Sequence, residues 1–297
     1  MKDSRRSLTA ESAAAARAAH FVLNYEPIIF EDPYAAYFIG GRWKWMIQKR
    51  VILRLITANF LFGWARPVVG QILARSRYSE DRFEKAFGND ISQYVLLGAG
   101  MDSFAMRRPE LEEAVKIYEV DHPSTQEWKK GKLSENSFTP PSNVVYIPID
   151  FEKESLAQVL TSSPFQNEIP AFFSWLGTTY YLTKNAVFET FKAISSCAAK
   201  GSEVVFDYAC SDADGRMPDT KTIKKVRKFT KRRGEEMITA FSQQELFDEL
   251  KKVGFTLQED LDTNMQNERY FANRSDGLEA MRHTHIASVK LERPVKS

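Results

Sequence analysis

Two short stretches carry residues whose types and spacing suit the binding of a nucleoside. The first is Gly98-Ala99-Gly100-Met101-Asp102, in which an apolar run leads straight into two glycines. The second is the end of the next apolar run, at Asp121. Glycines lack a Cβ atom and let main chain approach a ligand, and a carboxylate at the next strand's end offers two acceptor oxygens to a ribose diol. Together they predict the nucleoside-binding half of a parallel sheet.

The residues around the glycines narrow the choice of ligand. No Gly-Lys-Ser/Thr follows them, which excludes a P-loop, and the third glycine of a dinucleotide-binding turn is missing because Ser103 holds its position. Asp102 would put negative charge where a pyrophosphate would lie. A cationic ligand without phosphate fits better, and S-adenosylmethionine, with its sulfonium and ammonium groups, is one. A nicotinamide dehydrogenase is the disfavoured alternative.

The elements that must position these residues follow from the hydrophobic pattern. From Ser92 onward, apolar runs of strand length alternate with amphipathic stretches, which predicts a Rossmann-like α/β fold with a doubly wound, mostly parallel sheet. Helices are predicted over 184–199, after Thr183, and over 242–253, which opens with a capping box. The predicted strands are 94–97, 116–120, 144–148, 171–175, 203–208, 255–258 and 286–291.

Composition excludes several classes of protein. A net charge of +2 gives no global reason to expect nucleic acid or an acidic membrane as partner. Two cysteines, Cys197 and Cys210, predict no disulfide framework and favour a reducing cytoplasm. The most apolar region, 51–74, is interrupted by Arg54, Arg66 and Pro67, so it is interpreted as buried helices and not as a membrane span.

Two segments outside the strands of the sheet are predicted to be helical. Residues 1–91 are expected to form an N-terminal helical cap on a core of 92–297, with Thr9 capping a helix over 10–23 and Asp32-Pro33 starting another. The basic insertion, residues 211–236, follows the fifth strand and has no acid from 220 to 234. It is either a solvated surface helix or a cationic lid that attracts an acidic substrate. Within that acid-free stretch, the insertion has eight cations: Lys221, Lys224, Lys225, Arg227, Lys228, Lys231, Arg232 and Arg233.

Blocks along almost the whole chain resemble the leucine carboxyl methyltransferase-like branch of class I S-adenosylmethionine-dependent methyltransferases, in particular its bacterial members. The most specific are the glycine turn ending in Asp102 and the ending Val120-Asp121-His122-Pro123. Further matching blocks are Thr9-Ala10, Ala16-Arg17-Ala18, Asp32-Pro33-Tyr34-Ala35, Arg75-Ser76-Arg77-Tyr78, Asp150-Phe151, Tyr181-Leu182, Phe206-Asp207-Tyr208, Gly234-Glu235 and Arg269-Tyr270.

The resemblance implies a cofactor site for S-adenosylmethionine at the glycine turn. Gly98 and Gly100 would pass under the methionine part of the cofactor, and Ala99 and Asp102 belong to the same binding turn. Asp121 would hold the ribose hydroxyls.

The same resemblance implies contacts at both ends of the cofactor. Asp150 and Phe151 would bind the adenine amino group and pack against its ring. Arg17 and Arg77, or Arg75 because the register is ambiguous by two, would meet the cofactor's carboxylate. An arginine fork suits a carboxylate bidentately, which a lysine does not.

One position departs from the family pattern. Leu176 stands where many relatives have a glutamate that faces the cofactor's cationic end, which puts that contact in doubt. The neighbouring Trp175 is predicted to place its ring against the sulfonium, a cation–π contact of about 1–2 kcal/mol when dry.

The chemistry of the predicted transfer needs no metal, since catalysis comes mainly from holding the acceptor in line with the methyl group. A carboxylate is ionised at neutral pH, whereas a hydroxyl acceptor needs a base. His283 and His285 lack a third ligand of matching spacing, so no metal site is predicted. Candidates for the acceptor pocket are Tyr180, Tyr181 and Tyr208.

The function predicted is therefore O-methylation of a carboxylate on a small molecule or a peptide C-terminus. Two alternatives stay open: a hydroxyl O-methyltransferase of secondary metabolism, and an S-adenosylmethionine-binding regulator without catalysis. Neither the acceptor nor the oligomeric state follows from the sequence.

Overall fold

A single mixed sheet forms the centre of the molecule. The computed structural model describes residues 7–49, 53–54, 63–89, 91–151 and 153–293. The strands of these ranges are β1 (Gln93–Leu97), β2 (Lys116–Asp121), β3 (Val144–Pro148), β4 (Ala171–Trp175), β5 (Glu203–Ala209), β6 (Phe255–Leu261) and β7 (Thr284–Leu291). They join in the order β3-β2-β1-β4-β5-β7-β6, with β7 antiparallel to both of its neighbours and the other pairs parallel.

The central strands are buried on both faces. Every residue of β1, β4 and β5 is buried, as expected for parallel strands that helices cover from both sides. The predicted strands 144–148 and 171–175 match β3 and β4 at both ends, and the other five predicted strands are one to three residues longer in the structure. The predicted fold class is confirmed.

Helices cover the two faces of the sheet and its ligand-binding edge. They are α1 (Leu8–Leu23), α2 (Gly41–Gln48), α3 (Ala65–Phe87), α4 (Phe104–Arg107), α5 (Pro123–Glu135), α6 (Leu156–Thr161), α7 (Lys184–Cys197), α8 (Lys221–Lys231), α9 (Gln243–Lys252) and α10 (Thr263–Gln266). Thr183 and Ser242 accept a main-chain N–H at the starts of α7 and α9, as their sequences predict. No helix of the described ranges is both long and apolar enough to cross a membrane.

Two predicted helix starts are wrong in detail. Ser7, not Thr9, caps α1 and accepts the N–H of Ala10, which frees the Thr9 hydroxyl for a distant partner described below. Asp32 precedes only a short 3₁₀ turn, Ala35–Tyr37, whose N-cap residue is Tyr34, and its Oδ1 accepts the N–H of Ala35 at 2.9 Å. The carboxylate of Asp32 is buried, where it pairs with Arg17.

Alternating side chains of each strand enter two different hydrophobic layers. On β1, Val95 and Leu97 pack with α6, α7 and α9, whereas Tyr94 and Leu96 pack with α3 on the other face. On β4, Phe173 and Trp175 join the first layer and Phe172 the second. Neighbouring residues of a strand therefore pack against different helices.

Candidate functional site

The glycine turn that follows β1 is packed tightly by the protein itself. Gly98 has φ +67° and Gly100 has φ +52°, in the left-handed region that favours glycine. A Cβ atom on Gly98 would lie 2.8 Å from Thr178 Oγ1, and one on Gly100 would lie 2.9 Å from the Cβ of Ala10. Both glycines are therefore needed for the turn and for the approach of α1 and the segment after β4.

Asp121, at the end of β2, braces this turn. Its Oδ2 accepts the N–H of Gly100 at 2.5 Å and its Oδ1 accepts the N–H of His122 at 2.6 Å. Burial raises the pKa of Asp121 to about 6, against the lowering effect of these two N–H groups. Each carboxylate oxygen keeps a second lone pair for a further donor, such as a ribose hydroxyl.

A cavity of about 920 Å³ opens at the carboxyl ends of the strands, beside this turn. Ligands of open α/β sheets bind at that edge, and pockets for drug-sized ligands span roughly 300–1,000 Å³. The predicted site residues that line it are Arg17, Gly98, Ala99, Gly100, Asp102, Asp121, Asp150, Phe151, Tyr180 and Tyr181. The structure thus brings most of the predicted site to one place.

Of the two candidates Arg75 and Arg77, Arg75 lines the cavity. Its Nη1 donates to Asp207 Oδ2 at 2.9 Å, and a Cβ atom on Gly177 would lie 2.4 Å from its Nη2. Arg77 instead pairs with Asp81 at 2.8 Å, and half of its side chain is exposed. Only one of the two arginines lines the cavity, because positions i and i+2 of a helix lie on different faces.

Asp207 is a buried acceptor that the sequence did not single out as a site residue. It is fully buried on β5, where Oδ1 accepts the N–H of Gly177 at 2.6 Å and Oδ2 accepts the hydroxyl of Tyr180 at 2.7 Å, besides the Arg75 guanidinium. Burial and the neighbouring carboxylate raise the pKa of Tyr180 well above its usual value, so its phenol stays a donor. A signal was present, since an acid inside an apolar run predicts a buried partner.

Arg17 is held by a second buried ion pair. Its Nε donates to Asp32 Oδ2 at 2.8 Å, and its Nη2 donates to the carbonyl of Met101, within the glycine turn, at 2.6 Å. Burial alone would raise the pKa of Asp32, but the guanidinium groups of Arg17 and Arg107 hold it below its usual value. Arg17 therefore ties α1 to the turn.

Two predicted aromatic site residues, Trp175 and Tyr208, do not line the cavity, because their side chains are buried in the hydrophobic layer with α7 and α9. Trp175 is 1% exposed and packs edge-on against Phe191 of α7, so it does not line the cavity and its ring cannot meet a sulfonium there. Tyr208 is fully buried and donates to Asp260 at 3.0 Å, outside the cavity. On β4, the cavity is lined by Ser174, and by Leu176 just after it.

Another part of the cavity carries a group of apolar side chains. Its apolar wall is defined here as the side chains of Trp64, Val68, Val226, Phe229, Met237 and Met281, all of which line the cavity. Most of them pack in one cluster with Tyr180 and Tyr181, near the end of β5. Trp64 and Phe229 meet with ring centroids 6.2 Å apart. This wall lies on the β4–β5 side of the sheet, and the nucleoside-type residues lie on the β1–β3 side.

The basic insertion contributes its apolar side to this wall. Ile223, Val226 and Thr230 of α8 are buried. None of the eight cations of its acid-free stretch lines the cavity, and seven of them are exposed. Glu235, at the end of the insertion, does line it and accepts the Thr9 hydroxyl of α1. The structure therefore matches a solvated basic face better than a cationic cavity wall.

The fold and the site together define a class I S-adenosylmethionine-dependent methyltransferase: a sheet with an antiparallel seventh strand, a glycine turn after β1, and acids at the ends of β2 and β3. The family model described as leucine carboxyl methyltransferase matches residues 10–195. A Bacillus subtilis protein, provisionally named S-adenosyl-L-methionine-dependent methyltransferase YktD, is 32% identical over 98% of this chain and 100% of its own length. The chain therefore belongs to the leucine carboxyl methyltransferase family.

Two further likenesses agree with this assignment. A Mycolicibacterium paratuberculosis protein, with the same provisional description as a methyltransferase, is 29% identical and the match covers 67% of this chain and 62% of that one. The solved structure of a DUF574 family protein from Streptomyces avermitilis covers 93% of this chain and 97% of its own, with a TM-score of 0.50 and 11% identity, and bears on the fold alone. The protein is an S-adenosylmethionine-dependent methyltransferase, as predicted.

Proposed function

We propose that the protein methylates the oxygen of a carboxylate. When bound, S-adenosylmethionine supplies a methyl group on a positively charged sulfur. The acceptor oxygen forms a new bond to the methyl carbon, the bond between that carbon and the sulfur breaks, and the sulfur keeps the electron pair. The observation that carries the proposal is that the bases lining the described cavity are engaged or weak, which favours an acceptor that is already ionised.

The residues at the β1–β3 side fit such a cofactor. We assign its ribose hydroxyls to Asp121 and its adenine to Asp150 and Phe151, all of which line the cavity. Arg75 is the preferred partner for its carboxylate, because it lies against Gly177 beside the turn and Asp207 fixes its orientation. Arg17 faces the same cavity from α1. Leu176 stands in place of the family glutamate. We therefore assign the cofactor's cationic end to Asp102, the acid of the glycine turn, which lines the cavity.

Two histidines and the tyrosines Tyr180 and Tyr181 line the cavity. His122 is hydrogen-bonded to Ser124 through its Nδ1 at 2.8 Å, and the other three groups are poor bases. Burial, with the nearby Arg274, lowers the pKa of His20 to about 4, and its Nε2 already accepts the N–H of Ile29 at 3.2 Å. Burial raises the pKa of Tyr180 and of Tyr181 well above neutrality, so neither phenol ionises in the working range. A histidine whose pKa lies far below 7 binds a proton weakly, and a phenol whose pKa lies far above 7 is hardly ionised. Neither contributes much as a base at pH 7.

Glu236 and Asp276, two acids that line the cavity, are already ion-paired. Glu236 pairs with Lys231 at 2.9 Å, and hydrogen bonding from that lysine lowers its pKa. Asp276 pairs with Arg274 at 2.5 Å. Residues 50–62, part of which the structure does not describe, contain no Asp, Glu, His or Tyr. Glu235 is the carboxylate that favours the second candidate function, a hydroxyl O-methyltransferase in which it would act as base.

The experiment is a labelling assay with methyl-tritiated S-adenosylmethionine and matched acid and alcohol acceptors. A methyl ester releases its label as volatile methanol in mild alkali, whereas an ether retains it. We expect alkali-labile product and a kcat unchanged within about threefold in Glu235→Gln, which keeps an acceptor for Thr9. Alkali-stable product, with a loss of roughly 100-fold or more in Glu235→Gln, would replace the proposal by the hydroxyl reaction.

A further inference from the structure

Beyond the cofactor residues, three segments of the chain contribute apolar side chains to the cavity. Helix α3 and the residue before it contribute Trp64 and Val68, α8 contributes Val226 and Phe229, and the segment before β7 contributes Met281. Val226 and Met281 are nearly fully buried. Such a surface gains free energy by burying apolar area of a ligand, in proportion to that area.

Charged side chains that line the cavity near this wall already have partners: Glu235 accepts the Thr9 hydroxyl, and Asp276 pairs with Arg274. Arg75, at the border of the wall, is already paired with Asp207 at 2.9 Å, and the hydroxyl of Tyr180 donates to the same carboxylate. The cations of α8 lie on its solvent side, where Arg227 and Lys231 pair with Glu236. An acceptor with several polar groups would leave them without partners against this wall, which costs free energy.

We propose that the acceptor is a lipophilic monocarboxylic acid, whose hydrocarbon part covers the apolar wall and whose carboxylate lies at the border with the cofactor residues. This rests on the proposed function, because it takes the carboxylate as the group that reacts. The cavity volume of about 920 Å³ is at the upper end for one drug-sized ligand, so it suits a nucleoside cofactor together with a second small molecule.

The first test measures binding and turnover of straight-chain acids from four to twelve carbons, with the matching alcohols as a parallel series. Binding is measured by calorimetry on the protein saturated with S-adenosylhomocysteine. Each methylene that enters the wall is expected to tighten binding about fourfold, and kcat/KM for methyl ester is expected to rise in the same way until the wall is full. Affinity that stays flat with chain length would overturn the inference, even where short acids are methylated.

The two proposals fail differently in this experiment. Methyl ethers from long alcohols, with no ester from any acid, would overturn carboxylate methylation and the acid named here with it. Esters from short or polar acids only would leave carboxylate methylation standing and remove the lipophilic acceptor.

A matched pair of variants on α8 tests the location. Val226→Thr keeps the shape of a buried side chain but adds a hydroxyl to the wall, and Lys228→Thr makes a change on the exposed face of the same helix. We expect Val226→Thr to lower affinity for the longest acid about tenfold and for the shortest acid less than twofold, with unchanged affinity for S-adenosylhomocysteine. Lys228→Thr should change neither; equal effects on long and short acids in Val226→Thr would contradict the placement.

Discussion

Replacing Asp207 by asparagine tests whether the buried pair with Arg75 positions the cofactor as well as stabilising the fold. The substitution keeps the shape of the side chain and removes its charge. The Asp207 side chain is fully buried and that of Arg75 is 15% exposed, so the guanidinium would be left largely buried without a counter-ion. Breaking such a pair costs about 3–5 kcal/mol, and since asparagine still accepts one or two hydrogen bonds we expect the lower end, about 3 kcal/mol.

The expected loss is large enough to measure by thermal unfolding. For a chain of this size, about 3 kcal/mol corresponds to a fall in Tm of roughly 6–12 °C. Arg75 would also lose the carboxylate that orients it, and a charge-assisted contact contributes about 1.5–3 kcal/mol. Affinity for S-adenosylhomocysteine, measured by calorimetry, should therefore fall about 10- to 100-fold.

Two controls separate stability from cofactor binding. Asp248→Asn makes the same chemical change on an exposed residue of α9 and should leave both quantities unchanged. The double variant Arg75→Met with Asp207→Asn removes the uncompensated cation, so it should recover at least half of the lost stability but none of the lost affinity. A fall in Tm no larger than that of Asp248→Asn, or a double variant less stable than Asp207→Asn alone, would refute the reasoning.

Two further predictions concern the turn and its surroundings. Because burial raises the pKa of Asp121 to about 6 and the ionised carboxylate is the form that accepts ribose hydroxyls, affinity for S-adenosylhomocysteine should weaken about tenfold as the pH falls from 7.5 to 5. Asp121→Asn should bind weakly without that pH dependence in calorimetry, and a wild-type affinity independent of pH would contradict the assignment. Gly177→Ala, at φ +70° and in collision with Arg75, should cost about 1–2 kcal/mol or more and weaken cofactor binding. Gly131→Ala within α5, where a Cβ atom meets nothing within 4 Å, should gain about 0.5–1 kcal/mol in denaturant unfolding, and a reversed order would show that φ and the collision do not decide the result.

Strand positions were predictable because burial on both faces leaves a continuous apolar run in the sequence. The centre of the sheet, β1 and β4, shows this directly, since every residue of both strands is buried. Strand alternation also predicts the face of the sheet on which each side chain lies. Trp175 was assigned to the cofactor for its chemistry, but on β4 it lies on the α7 side while Ser174 faces the cavity.

Partners far apart in sequence were the part that the sequence could not supply. Asp207 joins Arg75, 132 positions away, to the segment after β4. Thr9 looks like a helix cap until the fold brings Glu235 to its hydroxyl from 226 positions away. Local rules rank both residues correctly as polar groups that need a partner, but only the tertiary structure selects which partner they meet.

The basic insertion shows that the net charge of a segment does not decide which of its side chains line a cavity. Its eight cations suggested a lid that attracts an acidic substrate, yet α8 is amphipathic and turns Ile223 and Val226 inward, because burying apolar area is favourable and burying several unpaired ammonium groups is not. An acid would therefore be drawn to the outside of the molecule by long-range attraction, which salt weakens. Inside the cavity, the acid would be selected because its hydrocarbon part packs on the apolar wall and because its carboxylate is already ionised. On this argument added salt should slow capture of the acid while leaving kcat nearly unchanged.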